Sequence, residues 1–116
     1  MATVKEALAH VEGLLRDQGL TVSADPRRLS PPCAWISASR VSHDRDFGGG
    51  VVRIDVYLIA PDHGVHEALD HLDDMLTHTL RAVTPSADTI VNETVNLPTE
   101  DRAMPAFRVS VDHRVF

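Results

Sequence analysis

His66, Asp70 and Asp73 stand four and three residues apart, a spacing that stacks them down one flank of a helix. Imidazole nitrogens and carboxylate oxygens are ligands that zinc and related divalent cations take. The stripe is therefore the chain's main candidate for a metal-dependent or acid–base enzyme. It matches no established zinc signature, and no second cluster in the sequence completes a coordination shell, so a solvated helix flank accounts for it more simply.

The opposite side of the same segment carries Glu67, His71, Asp74, His78 and Arg81, again at helical spacing. Glu67 with His71 and Asp74 with His78 form i,i+4 pairs, each adding about 0.2–0.5 kcal/mol when the histidine is charged. Asp62, Glu67, Asp70, Asp73 and Asp74 make five acids with no lysine or arginine between them. Such a one-signed surface is a solvated face first, and becomes an electrostatic device only in an assembly.

Nucleophilic chemistry has little to work with. Cys33 is the only cysteine, follows two prolines and begins an apolar run, which suits a buried small residue rather than an activated thiolate. No serine stands in a G-x-S-x-G elbow. Gly48-Gly49-Gly50 has no following lysine and opens no helix, so it is not a phosphate loop; it reads as a hinge. Before it, Asp44, Arg45, Asp46 and Phe47 form an exposed tip whose single aromatic suits contact with another subunit or partner. The residues thus point to no catalytic group, no cofactor and no metal.

The elements that would position these residues follow from periodicity. Thr3 and Glu6 have the form of a capping box, each side chain reaching the other's backbone N–H. Val4, Ala7, Leu8, Val11, Leu14 and Leu15 then recur at helical spacing, and Gly19 supplies the left-handed stop. A short apolar piece, Leu20 to Val22, precedes a loop partly stiffened by Pro26, Pro31 and Pro32. Cys33 to Val41 reads as a strand, His43 to Gly50 as a mobile connection, and Val51 to Ile59 as a strand with Val52, Ile54, Val56 and Leu58 on one face. In the second helix Val65, Leu69, Leu72, Leu76, Leu80 and Val83 form the predicted apolar stripe. Thr89 to Leu97 and Pro105 to Asp112 are the last strands. The expected fold is α+β, a mixed, mainly antiparallel sheet of four to five strands covered by two helices, in the order α-β-β-α-β-β.

The chain's 116 residues suit a single domain, 1–116, and a hydrophobic fraction of 43% supports a packed core. A formal charge of −6, with Arg27-Arg28 as the only adjacent basic pair, argues against sequence-specific nucleic-acid binding. No apolar run approaches membrane-spanning length, and Met1 to His10 lacks the apolar core of a signal peptide, so the expected compartment is the cytoplasm.

In order and pattern the chain resembles the tail terminator (tail-completion) proteins of long, non-contractile-tailed bacteriophages, the family that includes lambda's tail terminator. The likeness runs from the amphipathic first helix through Pro31-Pro32-Cys33-Ala34-Trp35-Ile36 and the strand Val52 to Pro61. It continues through Ala68 to Asp74 and ends in Met104 to Val111. The resemblance implies a structural protein of the virion, assembled in the host cytoplasm and placed at the head-proximal end of the tail. It would form a homo-hexameric ring that caps the tail tube protein, ends its polymerisation and offers a surface to the head–tail connector protein. In such a ring the Asp44–Phe47 tip would meet a neighbour, and Glu67, Asp70 and Asp74 would line the lumen. The alternatives are the His66/Asp70/Asp73 enzyme, another head–tail junction protein, or a dimeric binding module.

Overall fold

Thr3 sets the start of the first helix, α1 (Val4–Asp17), because its hydroxyl accepts the Glu6 N–H at 3.2 Å. The Glu6 carboxylate turns back to the Thr3 hydroxyl at 3.3 Å. Gly19, at φ 86°, closes the helix in the left-handed region, with its N–H on the Arg16 carbonyl and that of Leu20 on Leu15. This computed structural model describes residues 3–43 and 49–115.

After α1 come β1 (Val22–Ser23), a short 3₁₀ turn at Pro26–Arg28, β2 (Cys33–His43), β3 (Gly50–Ile59), α2 (Val65–Ala82), β4 (Ile90–Val95) and β5 (Met104–Val115). One sheet runs in the order β1-β2-β3-β5-β4, with β1 parallel to β2 and every other pair antiparallel. The fold is α+β, a mixed five-stranded sheet with two helices.

Alternation along the strands divides the core in two. Val52, Ile54, Val56 and Leu58 of β3 join Phe107, Val109 and Val111 of β5 beneath both helices, which lie on the same face. α1 buries Ala7, Val11 and Leu15 there, and α2 buries Ala68, Leu72 and Met75. On the opposite face Cys33, Ile59 and Ala106 are covered by Leu29 and Leu97, which come from connecting segments. The Thr99 hydroxyl ties those segments together by donating to the Leu29 carbonyl at 2.7 Å.

Two expectations need correction. His43 and Gly50 do not belong to a mobile connection: they are paired ends of β2 and β3. A Cβ on Gly50 would lie 2.7 Å from the Ser42 carbonyl oxygen, so this glycine serves close strand packing rather than a hinge. The predicted Asp44–Phe47 tip and Gly48 lie outside the described residues.

The second correction concerns α2. Its buried line is Ala68, Leu72, Met75 and Thr79, not the predicted line of Val65, Leu69, Leu72, Leu76, Leu80 and Val83. Of the predicted line, Leu72 and Val83 are buried and Leu76 packs half-buried against the core, so the helix is turned by only part of one residue's step of about 100°. Small side chains at Ala68 and Thr79 let it lie against the sheet, and the Thr79 hydroxyl is satisfied internally by the Met75 carbonyl at 2.8 Å. Val65, Leu69 and Leu80 are left exposed by the turn, although Val83 stays buried.

Candidate interaction surfaces

The acids of α2 lie where a solvated face would put them. Glu67, Asp70 and Asp74 are exposed, as are His66 and Asp73. Asp74 pairs with His78 at 3.8 Å as its spacing predicts, whereas Glu67 turns to His63 at 3.7 Å, not to His71. α2 begins at Val65, so His63 stands just before its first turn, while His71 is half-buried and lines a depression with Gly19, Leu20, Thr21 and Pro32. Among the described residues no three His, Cys, Asp or Glu side chains converge on a point where a metal could sit.

Beside α2 runs a groove of about 270 Å³ that the sequence did not announce. Val65, Leu69 and Leu72 form its helix wall, Val91 and Thr94 of β4 the other, and Pro105 and Ala106 lie between them. It exists because α2 rests over β3 and β5 and stops short of β4, the last strand of the sheet. A register irregularity between Ile90 and Glu93 re-aims the β4 side chains at this point. Among the described residues, Val65 is 72% exposed, Val91 61%, Leu80 47% and Leu69 39%, the large apolar side chains left in water.

The sheet face away from the helices carries a ladder of paired polar groups. Trp35 and Tyr57 stack with ring centroids 5.0 Å apart, and the Trp35 indole N–H donates to the Ala24 carbonyl at 3.2 Å. Burial raises the Tyr57 phenol above its ordinary range, and the nearby Asp55 charge adds to that. Arg108 donates to Glu93 at 3.0 Å and reaches within 4.0 Å of Asp55. Arg53 grips Asp112 with two bonds of 3.0 and 3.3 Å, and this hydrogen bonding holds the Asp112 carboxyl below the usual carboxylate range. Every charged group in the ladder is answered by a neighbour, an arrangement that fixes strands rather than activating a group for chemistry.

Another depression, of about 360 Å³, lies where the loops meet and is lined by Pro31, Pro61, Asp62, His63, Glu100, Asp101, Arg102 and Met104. Arg102 crosses it to Asp62 at 3.6 Å. Cys33 is buried, and that burial pushes its thiol up to about 12, with the Glu100 charge contributing; such a thiol is neutral and unreactive at neutral pH.

Alternation predicted that Arg53, Asp55 and Tyr57 share a face. Their partners on β5 and β4 could not be read, because each pairing joins residues distant in the chain. No family model, curated protein or solved structure matches this chain.

Proposed function

We propose that the protein is a structural assembly protein of the tail-terminator type. In this reading it forms a homo-oligomeric ring at the head-proximal end of a phage tail, caps the tail tube protein, stops tube growth and presents a surface to the head–tail connector. The observation that carries the reading is the exposed apolar group of Val65, Leu69 and Val91 around one groove, set beside a run of acids. Contiguous exposed apolar surface rimmed by polar groups is characteristic of protein–protein contact. The likeness of order and pattern to tail terminators supplies the kind of partner.

Two finer assignments belong to the same proposal. Asp44, Arg45, Asp46 and Phe47 contact a neighbouring subunit, and Glu67, Asp70 and Asp74 face the lumen, where like charge keeps DNA from adhering. Tail tube subunits polymerised with and without the purified protein test the reading. Tubes should stop growing once capped at one end; unchanged length distributions at excess protein would reject it. Particles carrying Asp70→Lys with Asp74→Lys should retain DNA in the tail, and normal DNA passage would remove the lumen assignment alone.

A further inference from the structure

β5 continues past the end of its pairing with β4, and one residue there is out of keeping with its row. Phe107, Val109, Val111 and Val115 alternate along the helix-facing side of β5, and all four are buried in the main core. His113 takes the place between Val111 and Val115, opposite Val52 of β3, where the row predicts an apolar side chain. Its ring meets that of His10 on α1, with centroids 5.3 Å apart and planes inclined at 66°. The pair joins the first helix of the chain to its last strand. His10 reaches the contact because it stands one turn from Ala7 and Leu14, at the margin of the stripe that α1 packs on the sheet.

The hydrogen bonding of His113 fixes which nitrogen is available. Its Nδ1 lies 2.9 Å from the Arg114 carbonyl oxygen. A carbonyl can only accept, so Nδ1 carries the proton and Nε2 of the neutral ring keeps its lone pair. Histidines that hold metals are oriented in this way, the second ring nitrogen donating to a carbonyl or carboxylate. The His10 ring is exposed and makes no hydrogen bond or ion pair among the described residues, so it is open to a ligand.

The separation of the rings suits a shared ion. A zinc–nitrogen bond of about 2.0–2.1 Å sets the ion about 3.2 Å from the centre of each imidazole, and a tetrahedral angle then puts the two centres about 5.2 Å apart. The observed separation is 5.3 Å. Edge-to-face packing alone also allows this distance. It does not, however, call for an imidazole in a row of valines and phenylalanine, or for a ring held with Nε2 free.

We propose that His10 and His113 are the protein ligands of a site for one divalent transition-metal ion of the zinc type, with water in the remaining positions. The site is separate from the His66, Asp70 and Asp73 stripe and does not depend on the assembly reading. It is a two-residue site, in keeping with the absence of any three-residue cluster among the described residues. Two protein ligands are fewer than the three of a catalytic zinc or the four of a structural one, so the ion exchanges and its occupancy follows the free metal concentration. Once bound it clasps α1 to β5, and because the unfolded chain lacks the site, binding stabilises the fold.

Zinc chloride titrated into the metal-stripped protein at neutral pH, followed by calorimetry, tests the site. One equivalent should bind, and His10→Ala should weaken binding by about tenfold or more, since even the loss of an outer partner does as much at other sites. His10 is exposed, so this variant keeps the fold. His113→Gln should weaken binding equally, with a melt in the absence of zinc to check that it folds. The melting midpoint of the original should rise with zinc concentration, and those of the two variants should not. In imidazole ¹⁵N spectra zinc should shift Nε2 of His113 while Nδ1 stays protonated, a change that ring packing does not produce. Absence of binding in the millimolar range would overturn the proposal, as would equal affinity in the original and His10→Ala proteins. Affinity kept by both variants and lost in His78→Ala would place the ion on the Asp74–His78 pair, and would overturn it too.

Discussion

The Ser110 hydroxyl donates to Asp55 Oδ1 at 2.8 Å across the β3–β5 pair, with both residues buried. Arg108 stands 4.0 Å from the other carboxylate oxygen. A carboxylate taken out of water is costly unless it is hydrogen-bonded and faced by a cation, and both conditions are met here. Asp55→Ala should lower stability by about 1–3 kcal/mol in chemical denaturation, because it leaves the buried hydroxyl without its acceptor. Asp55→Asn retains an acceptor oxygen and should lose less. Equal stability of the original and the alanine variant would show that this bond does not pin the two central strands.

Two glycines make opposite predictions. Gly50→Ala places a methyl 2.7 Å from a backbone oxygen in a paired strand, so the strands must shift at a cost of about 1–3 kcal/mol. Gly13, inside α1, has nothing within 4 Å of an added Cβ, and Gly13→Ala should stabilise by about 0.5–1 kcal/mol. Thermal melts of the pair check both signs. A Gly50→Ala protein as stable as the original would contradict the close β2–β3 packing.

The dependence on pH has two arms. Burial raises the Cys33 thiol to about 12, above its ordinary value of 9.0, so the unfolded chain releases this proton before the folded one does. That contribution is whole below pH 9 and is lost as pH rises from there towards 12. Asp112 is shifted the other way, chiefly by its bonds from Arg53, so its contribution is present above the ordinary value of 3.8 and is lost as pH falls through its lowered folded value. Denaturation midpoints across pH should show both losses, with Cys33→Ala flattening the alkaline arm and Asp112→Asn the acid one. In the folded protein a thiol reagent at pH 8 should leave Cys33 untouched, and in denaturant it should label it fully.

The apolar line beside the groove should separate stability from assembly. Leu69→Lys and Leu80→Lys replace exposed side chains, so each should change stability by no more than about 0.5 kcal/mol while impairing self-association. Leu72→Ala, at a position only 2% exposed, should instead cost about 2–5 kcal/mol. Large losses of stability in the lysine variants would mean that these leucines serve the chain's own core.

The particular elements show what a sequence can disclose. The alternation of Val52, Ile54, Val56 and Leu58 and the Thr3 cap are local patterns, and both recur in the fold. The turn of α2 was hidden because Ala68 and Thr79 carry little apolar weight, yet their smallness lets the helix approach the sheet. Glu67 pairs with His63 rather than His71, which is half-buried and lines a depression with the turn after α1, a tertiary fact with no local signal. The groove was invisible for the same reason: Leu69 and Val91 meet only once the sheet order β3-β5-β4 is known.

Electron microscopy of tail tubes assembled with the purified protein tests the central claim most directly. A closed ring at one end only, of a fixed number of copies, is the predicted result. Tubes with bare ends, or protein bound along their length without a ring, would contradict it.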